Sequence, residues 1–213
     1  MSAVAENLAR VRALLPAGVT LVAVSKTQPP EAIREAHAAG QRHFGENYAQ
    51  EWREKAEALA DLPIVWHFIG SLQTNKVKVL AGRAEWVHTV DRLALAEELS
   101  RRFTAKGASV KVLLEVNVAA EARKAGCSPA DVPGLAEAVA RLPALELRGL
   151  MCVPPAEGDP RPHFARLRAL RDGLGLPDLS MGMSGDFEAA VEEGATLVRI
   201  GTAIFGARPA KTG

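Results

Sequence analysis

Two cysteines, Cys127 and Cys152, are all the thiol chemistry in 213 residues. They offer neither a metal-ligand spacing nor a disulfide framework, and so point to a reducing, cytoplasmic setting. No apolar run approaches the ~18 residues that a membrane span needs. The opening Met-Ser-Ala-Val-Ala-Glu-Asn lacks the basic region followed by an apolar one that marks a secretory signal. Neither sign of charge dominates: 26 Lys and Arg stand against 25 Asp and Glu, a formal net charge of +1. Beyond short pairs such as Arg101-Arg102 and Arg123-Lys124 there is no basic stripe, which argues against a partner bound through a phosphate backbone. No linker, repeat or low-complexity segment interrupts the chain, so one domain over residues 1–213 is expected. With 48% hydrophobic residues the chain is long and apolar enough to bury a substantial core.

What is present is an alternation of short apolar runs and helical stripes. Val4, Leu8, Val11 and Leu15 space a helix over 2–15. Leu21-Val22-Ala23-Val24 reads as a strand buried on both faces, because a parallel strand between two layers has no polar side to show. A helix over 31–39 stops at Gly40. Further strands are expected at 42–45, 63–70, 86–90, 110–116, 145–151, 179–181 and 197–200. The helices between them fall at 48–59, from 71 onward, and at 92–105, 128–140, 161–174 and 186–193. Asp91 is the natural cap of the helix that follows it, and Ser128-Pro129 opens the next in the favoured order. Eight strands alternating with helices argue for a parallel sheet that closes as a single (β/α)₈ TIM barrel. An open doubly wound sheet competes, but no Gly-x-Gly-x-x-Gly follows the first strand.

In such a barrel the chemistry sits at the C-terminal ends of the strands. Those ends offer Lys26, Asn47, His67, Asp91, Asn117, Met151-Cys152, Ser184 and Gly201-Thr202. Lys26, at the mouth of strand one beside apolar walls, is partly desolvated, which favours the neutral amine that attacks carbonyls to give a Schiff base. A lysine that only snorkels to water past the strand end is the other reading. The turns 180–186 and 199–206 are rich in small residues and fall after strands seven and eight, where barrel enzymes often bind phosphate. Glycines serving only tight turns are the alternative. A Schiff-base lysine beside a phosphate site would suit pyridoxal phosphate (PLP).

Five stretches then become specific together: Ala23-Val24-Ser25-Lys26-Thr27, Phe44-Gly45-Glu46-Asn47-Tyr48, His67-Phe68-Ile69-Gly70 with Gln73-x-Asn75-Lys76, Ser180-Met181-Gly182-Met183-Ser184-x-Asp186, and Arg199-Ile200-Gly201-Thr202-Ala203-Ile204-Phe205-Gly206. In this order the chain closely resembles the pyridoxal phosphate homeostasis protein family over essentially its whole length. The resemblance implies an alanine-racemase-like, fold-type III barrel that binds PLP covalently, without established catalysis, in vitamin B6 and amino-acid balance. It also implies that Lys26 carries the cofactor, that Ser184, Gly201 and Thr202 bind its phosphate with backbone support from Met183, and that Arg199 faces the pyridine nitrogen. Asn47 and His67 are candidates to line the pocket; His67 reads equally as a satisfied core histidine. Lys124 matches a loop lysine of the family, either a second amine at the mouth or a solvated charge. Ser71 replaces a frequent proline, and Cys152-Val153-Pro154-Pro155 is an unusual loop after strand six.

Three functions compete at this stage. The first is a carrier or buffer of PLP, with PLP-dependent apoenzymes as transient recipients. The second is an amino-acid racemase, which needs a second base. In the racemases that base is a tyrosine from a C-terminal domain, whereas Tyr48 is the only tyrosine here, leaving Cys152 or His67 as substitutes. The third is a cofactor-free Schiff-base aldolase, which wants carboxylates around its lysine, and only Asp91 is an obvious one. The carrier reading is preferred, no catalytic residue is assigned, and the protein is expected to be a cytoplasmic monomer.

Overall fold

The computed structural model describes residues 2–121 and 124–206. Eight parallel strands close into a barrel in the order β1 to β8: Thr20–Val24, His43–Glu46, Val65–Phe68, Trp86–Val90, Val110–Glu115, Leu145–Met151, Asp178–Ser180 and Leu197–Ile200. β1 closes against β8 in the register Val22↔Arg199, and adjoins β2 with Ala23↔Phe44. Around them lie α1 (Ala3–Ala13), α2 (Pro30–Ala38), α3 (Ala49–Ala58), α4 (Val77–Leu80), α5 (Leu93–Ala105), α6 (Val132–Ala140), α7 (Arg161–Leu174), α8 (Phe187–Glu192) and α9 (Thr202–Phe205). The expected barrel is therefore the observed one.

Strands β2, β3, β5 and β7 and the helix ends differ from expectation by one to a few residues, the short α9 at Thr202–Phe205 is not among the expected helices, and three helix starts differ for local reasons. Arg92, not Asp91, is the capping residue of α5, and the Asp91 carboxylate instead accepts from the Arg92 guanidinium at 2.6 Å. α6 starts at Val132 because Ser128 to Asp131 close a turn of their own, the Ser128 hydroxyl meeting both the Asp131 carboxylate and its N–H. The stretch after Gly70 forms a 3₁₀ turn at Thr74–Lys76 before α4 begins. At Asp91 and at Ser128 a local side-chain bond competes with the first helical turn.

Two cores result, as the period of a strand requires. One side of each strand packs against the helices in a continuous apolar layer that includes Leu8, Phe44, Trp52, Phe68, Leu99, Phe103 and Phe164. The other side fills the barrel lumen, where Trp86, Leu113 and Met151 form a separate small cluster. The lumen also holds buried polar groups, His67, His88, Ser180 and Arg199. That placement is geometric: His88 on β4 and Ser180 on β7 lie 2.9 Å apart, and strands that are not neighbours in the barrel meet only across its interior. Gly149 lets β6 and β7 approach, since a Cβ there would stand 1.9 Å from the Asp178 carbonyl oxygen.

Candidate functional site

A cavity of about 420 Å³ opens at the C-terminal end of β1, β7 and β8. Seven of the residues singled out from the sequence line it: Lys26, Asn47, Met183, Ser184, Arg199, Gly201 and Thr202. Val24, Gln28, Ile69, Val153, Gly185 and Gly206 complete the walls. The apolar members are the ends of strands and rim loops, which carry no functional signal in the sequence. A second cleft of about 830 Å³ abuts it across Val153, Met183, Ser184 and Gly185. Lys124 belongs to that neighbouring cleft, with its ammonium on the Glu121 carboxylate and the Pro154 carbonyl, each at 3.0 Å. Ala122 and Arg123 of the same loop lie outside the described residues.

Lys26 is half-buried and lies between two anchored residues. The Ser25 carbonyl accepts from the Lys55 ammonium at 2.6 Å, and the Thr27 N–H donates to the Glu51 carboxylate at 2.5 Å. Lys55 also donates to Glu46 at 2.8 Å and to Glu51 at 2.6 Å, while the Ser25 hydroxyl donates to Glu46 at 2.6 Å. Thr27 adopts φ +64°, a left-handed conformation that a β-branched side chain takes only when its surroundings impose it. A buried ion cluster behind β1 thus sets the backbone on both sides of Lys26. Sequence reading missed it, because Lys55 on an amphipathic helix looks like a surface charge.

Opposite Lys26, Met183 to Asp186 form a tight turn. The Met183 N–H is engaged by the Asp186 carboxylate at 2.6 Å, so the backbone support expected from Met183 is not available, and Ser184 and Gly185 are the amides that the turn leaves open. Among the described residues, those two N–H groups meet no protein acceptor. Thr202 and Ala203 are the first two residues of α9, ahead of any intrahelical acceptor. Hydroxyls of Ser184 and Thr202 flank these amides. Both following helices are short, of 6 and 4 residues, so the turns offer these N–H and O–H groups with little macrodipole behind them.

Arg199 forms the floor. It is 4% exposed and donates from Nη1 to the Ser180 hydroxyl at 2.6 Å and from Nη2 to the Cys152 carbonyl at 2.9 Å. Among the described residues no ion pair involves it. Burial lowers its proton affinity somewhat, opposed by Cys152, Glu115 and Asp186. At Glu115, the end of β5, burial together with the Asp91 charge pushes the carboxyl up to about 7, against the pull of Arg199. Asn47 presents a buried amide oxygen with no hydrogen-bond partner among the described residues.

The other sequence candidates are not in this cavity. His67 is buried in the lumen with both ring nitrogens engaged, which is the core-histidine reading. Asn117 closes its own loop, donating to the Glu121 carbonyl and accepting from the Glu121 N–H. Cys152 is buried, and burial pushes its thiol up to about 12. No group of three or more His, Cys, Asp or Glu suited to a metal occurs among the described residues.

Residues 1–209 match the family described as "Alanine racemase, N-terminal domain". The chain is 55% identical to the pyridoxal phosphate homeostasis protein of Pseudomonas aeruginosa over 98% of this chain and 97% of that one. It is 43% identical to the protein of the same name from Escherichia coli, over 98% of each. Among solved structures it is similar to PipY of Synechococcus elongatus, determined with PLP bound, at a TM-score of 0.89 and 42% identity over 95% of this chain and all of that one.

Proposed function

The chain belongs to the alanine racemase N-terminal domain family, and on that premise we propose that it is a PLP-binding homeostasis protein that holds and hands on the cofactor rather than using it for turnover. The observation that carries this reading is the convergence of Lys26, Arg199 and the two amide-rich turns on one cavity. When bound, PLP supplies an aldehyde that condenses with amines and a ring that serves as an electron sink. In our reading Lys26 provides the covalent attachment. The Ser184 and Gly185 amides, the Thr202 amide and the Ser184 and Thr202 hydroxyls receive the phosphate, and Gly201 lets the turn pass close to Val24. Asn47, whose buried amide oxygen has no partner among the described residues, lines the wall beside the ring.

Arg199 faces the pyridine nitrogen. Its guanidinium keeps its proton and only donates, so the ring nitrogen stays unprotonated and the electron sink stays weak. Neither substitute for a second racemase base fits. The Cys152 thiol is held protonated by burial, and His67 lies in the lumen, spent on other histidines. Asp91 does not line the cavity, which removes the acid–base partner of an aldolase. PLP-dependent apoenzymes, as transient recipients, are the partners we propose, with the protein acting as a cytoplasmic monomer. No helix among the described residues is long and apolar enough to cross a membrane.

The test is the visible absorption of wild type and Lys26→Ala after adding PLP and gel filtration. A protein-bound band present in wild type and absent from the variant is expected. Absence from both overturns the cofactor reading. A band that survives in the variant moves the attachment to another amine, with Lys124 tested next.

A further inference from the structure

Four contacts link the floor of the cavity to the far end of the barrel. The Arg199 Nη1 meets Ser180 Oγ at 2.6 Å, and Ser180 Oγ meets His88 Nδ1 at 2.9 Å. His88 Nε2 meets His67 Nδ1 at 2.9 Å, and His67 Nε2 meets His43 Nδ1 at 2.9 Å. His43 opens β2 and lines a cleft at the N-terminal end of the barrel. None of the three histidines touches the Lys26 cavity. We propose that His88, His67 and His43 form a one-directional hydrogen-bond chain that orients the Ser180 hydroxyl and, through it, the Arg199 guanidinium, which makes them positioning residues for the ring that Arg199 faces. The inference rests on the PLP reading only for what Arg199 faces; the chain itself stands on geometry.

The direction follows from counting protons. A guanidinium has donors only, so Ser180 Oγ accepts from Arg199. Ser180 is fully buried, and among the described residues its hydroxyl proton has no acceptor other than His88 Nδ1. Leaving that O–H unpaired is costly in a dry interior, so Ser180 donates to His88. A neutral His88 then carries its proton on Nε2 and donates to His67 Nδ1. His67 in turn carries its proton on Nε2 and donates to His43 Nδ1, which leaves His43 protonated on Nε2. Every link accepts on the side nearer Arg199 and donates on the side away from it. Burial and neighbouring positive charge hold His67 and His88 neutral, as the pattern requires.

The arrangement explains how a buried arginine persists without a carboxylate. A row of aligned dipoles turns its lone-pair ends toward the cation and stabilises it, while adding no negative charge to compete with a ligand in the cavity. The guanidinium plane is pinned at two points, Ser180 and the Cys152 carbonyl, so its remaining donor edge is aimed before any ligand arrives. Trp86 stacked on His67, with centroids 5.5 Å apart and planes at 10°, keeps the middle ring from turning.

Two measurements test this. In cofactor-free protein with ¹⁵N-labelled histidine at neutral pH, long-range proton–nitrogen correlation should show His43, His67 and His88 as neutral Nε2–H tautomers. An Nδ1–H tautomer or a cation at His88 overturns the chain. PLP titrations then compare wild type with His88→Gln, whose amide accepts and donates in the same sense, and with His88→Leu, which does neither. His88→Leu should weaken PLP binding by ~10-fold or more and shift the bound absorption maximum, with His88→Gln within about threefold of wild type. Equal affinity and spectrum in both variants overturns the positioning role. If His88→Leu does not fold, Ser180→Ala against Ser180→Thr supplies the same contrast. Loss of PLP binding by wild type with the tautomers as expected would fault the cofactor reading alone.

Discussion

Replacing Lys55 by methionine removes, among the ion pairs of the described residues, the cation shared by the carboxylates of Glu46 and Glu51. The Lys55 side chain is 5% exposed, Glu46 is 0% and Glu51 is 25%. Without the ammonium, Glu46 keeps only the Ser25 hydroxyl on one oxygen, and its other oxygen already has no partner among the described residues. Removing one member of a buried pair costs about 3–5 kcal/mol, a large part of the stability of a domain. The cost should depend on pH in a defined sense. Burial already raises the Glu46 carboxyl above its usual range, and Lys55 is the main influence pulling it back down. In Lys55→Met that carboxyl rises further and the native state binds a proton that the unfolded chain has released, so stability falls as pH increases above the unfolded carboxyl range. Denaturant unfolding of wild type and variant at pH 5, 6.5 and 8 should therefore show a small difference at the lowest pH and the full loss at the highest. Adding Glu46→Gln to Lys55→Met should recover part of the loss at pH 8. The variant should also retain less PLP, because the Ser25 carbonyl beside Lys26 loses its anchor. A loss below about 1 kcal/mol at pH 8, or one that does not vary with pH, refutes the reasoning.

The buried acid and histidines and one close-packed glycine set three further outcomes. Glu115, pushed up to about 7 in the fold, makes stability fall as pH rises from the unfolded carboxylate range through 7, so Glu115→Gln should flatten that part of the stability profile measured by thermal melts. His67 and His88, held neutral by burial, act in the opposite sense: stability is present above pH 6.5 and is lost as pH falls below it, by roughly 1–1.5 kcal/mol per pH unit for each ring. Replacing either by glutamine should reduce the acid slope in a pH series of denaturation midpoints. Gly70→Ala would place a Cβ 1.9 Å from the Asn47 carbonyl oxygen, so it should displace Asn47 and weaken PLP binding in a titration, whereas Gly134→Ala, which meets open space, should not.

Much of this protein is legible along the chain because the signals are local. Buried parallel strands are short apolar runs whatever their neighbours, and β4, β6 and β8 span the residues expected of them. Lys26, Ser184, Gly201 and Thr202 stand out because strand ends and small-residue turns are marked by adjacent residues. α5 and α6 start later than Asp91 and Ser128 suggest because each of those residues has a side-chain partner of its own. What only the tertiary structure decided are the groups that meet across the barrel. His43, His67 and His88 stand 24 and 21 residues apart on three strands, and Ser180 another 92 away, so no periodicity links them until closure in one register sets them in line. Lys55 likewise reads as a solvated helix charge until α3 packs on β2 and buries it against Glu46. The sequence by itself determined which segments bury apolar surface, since burial depends on each segment's own composition; the polar interior of the barrel depends on distances between strands, and only the closed sheet defines those.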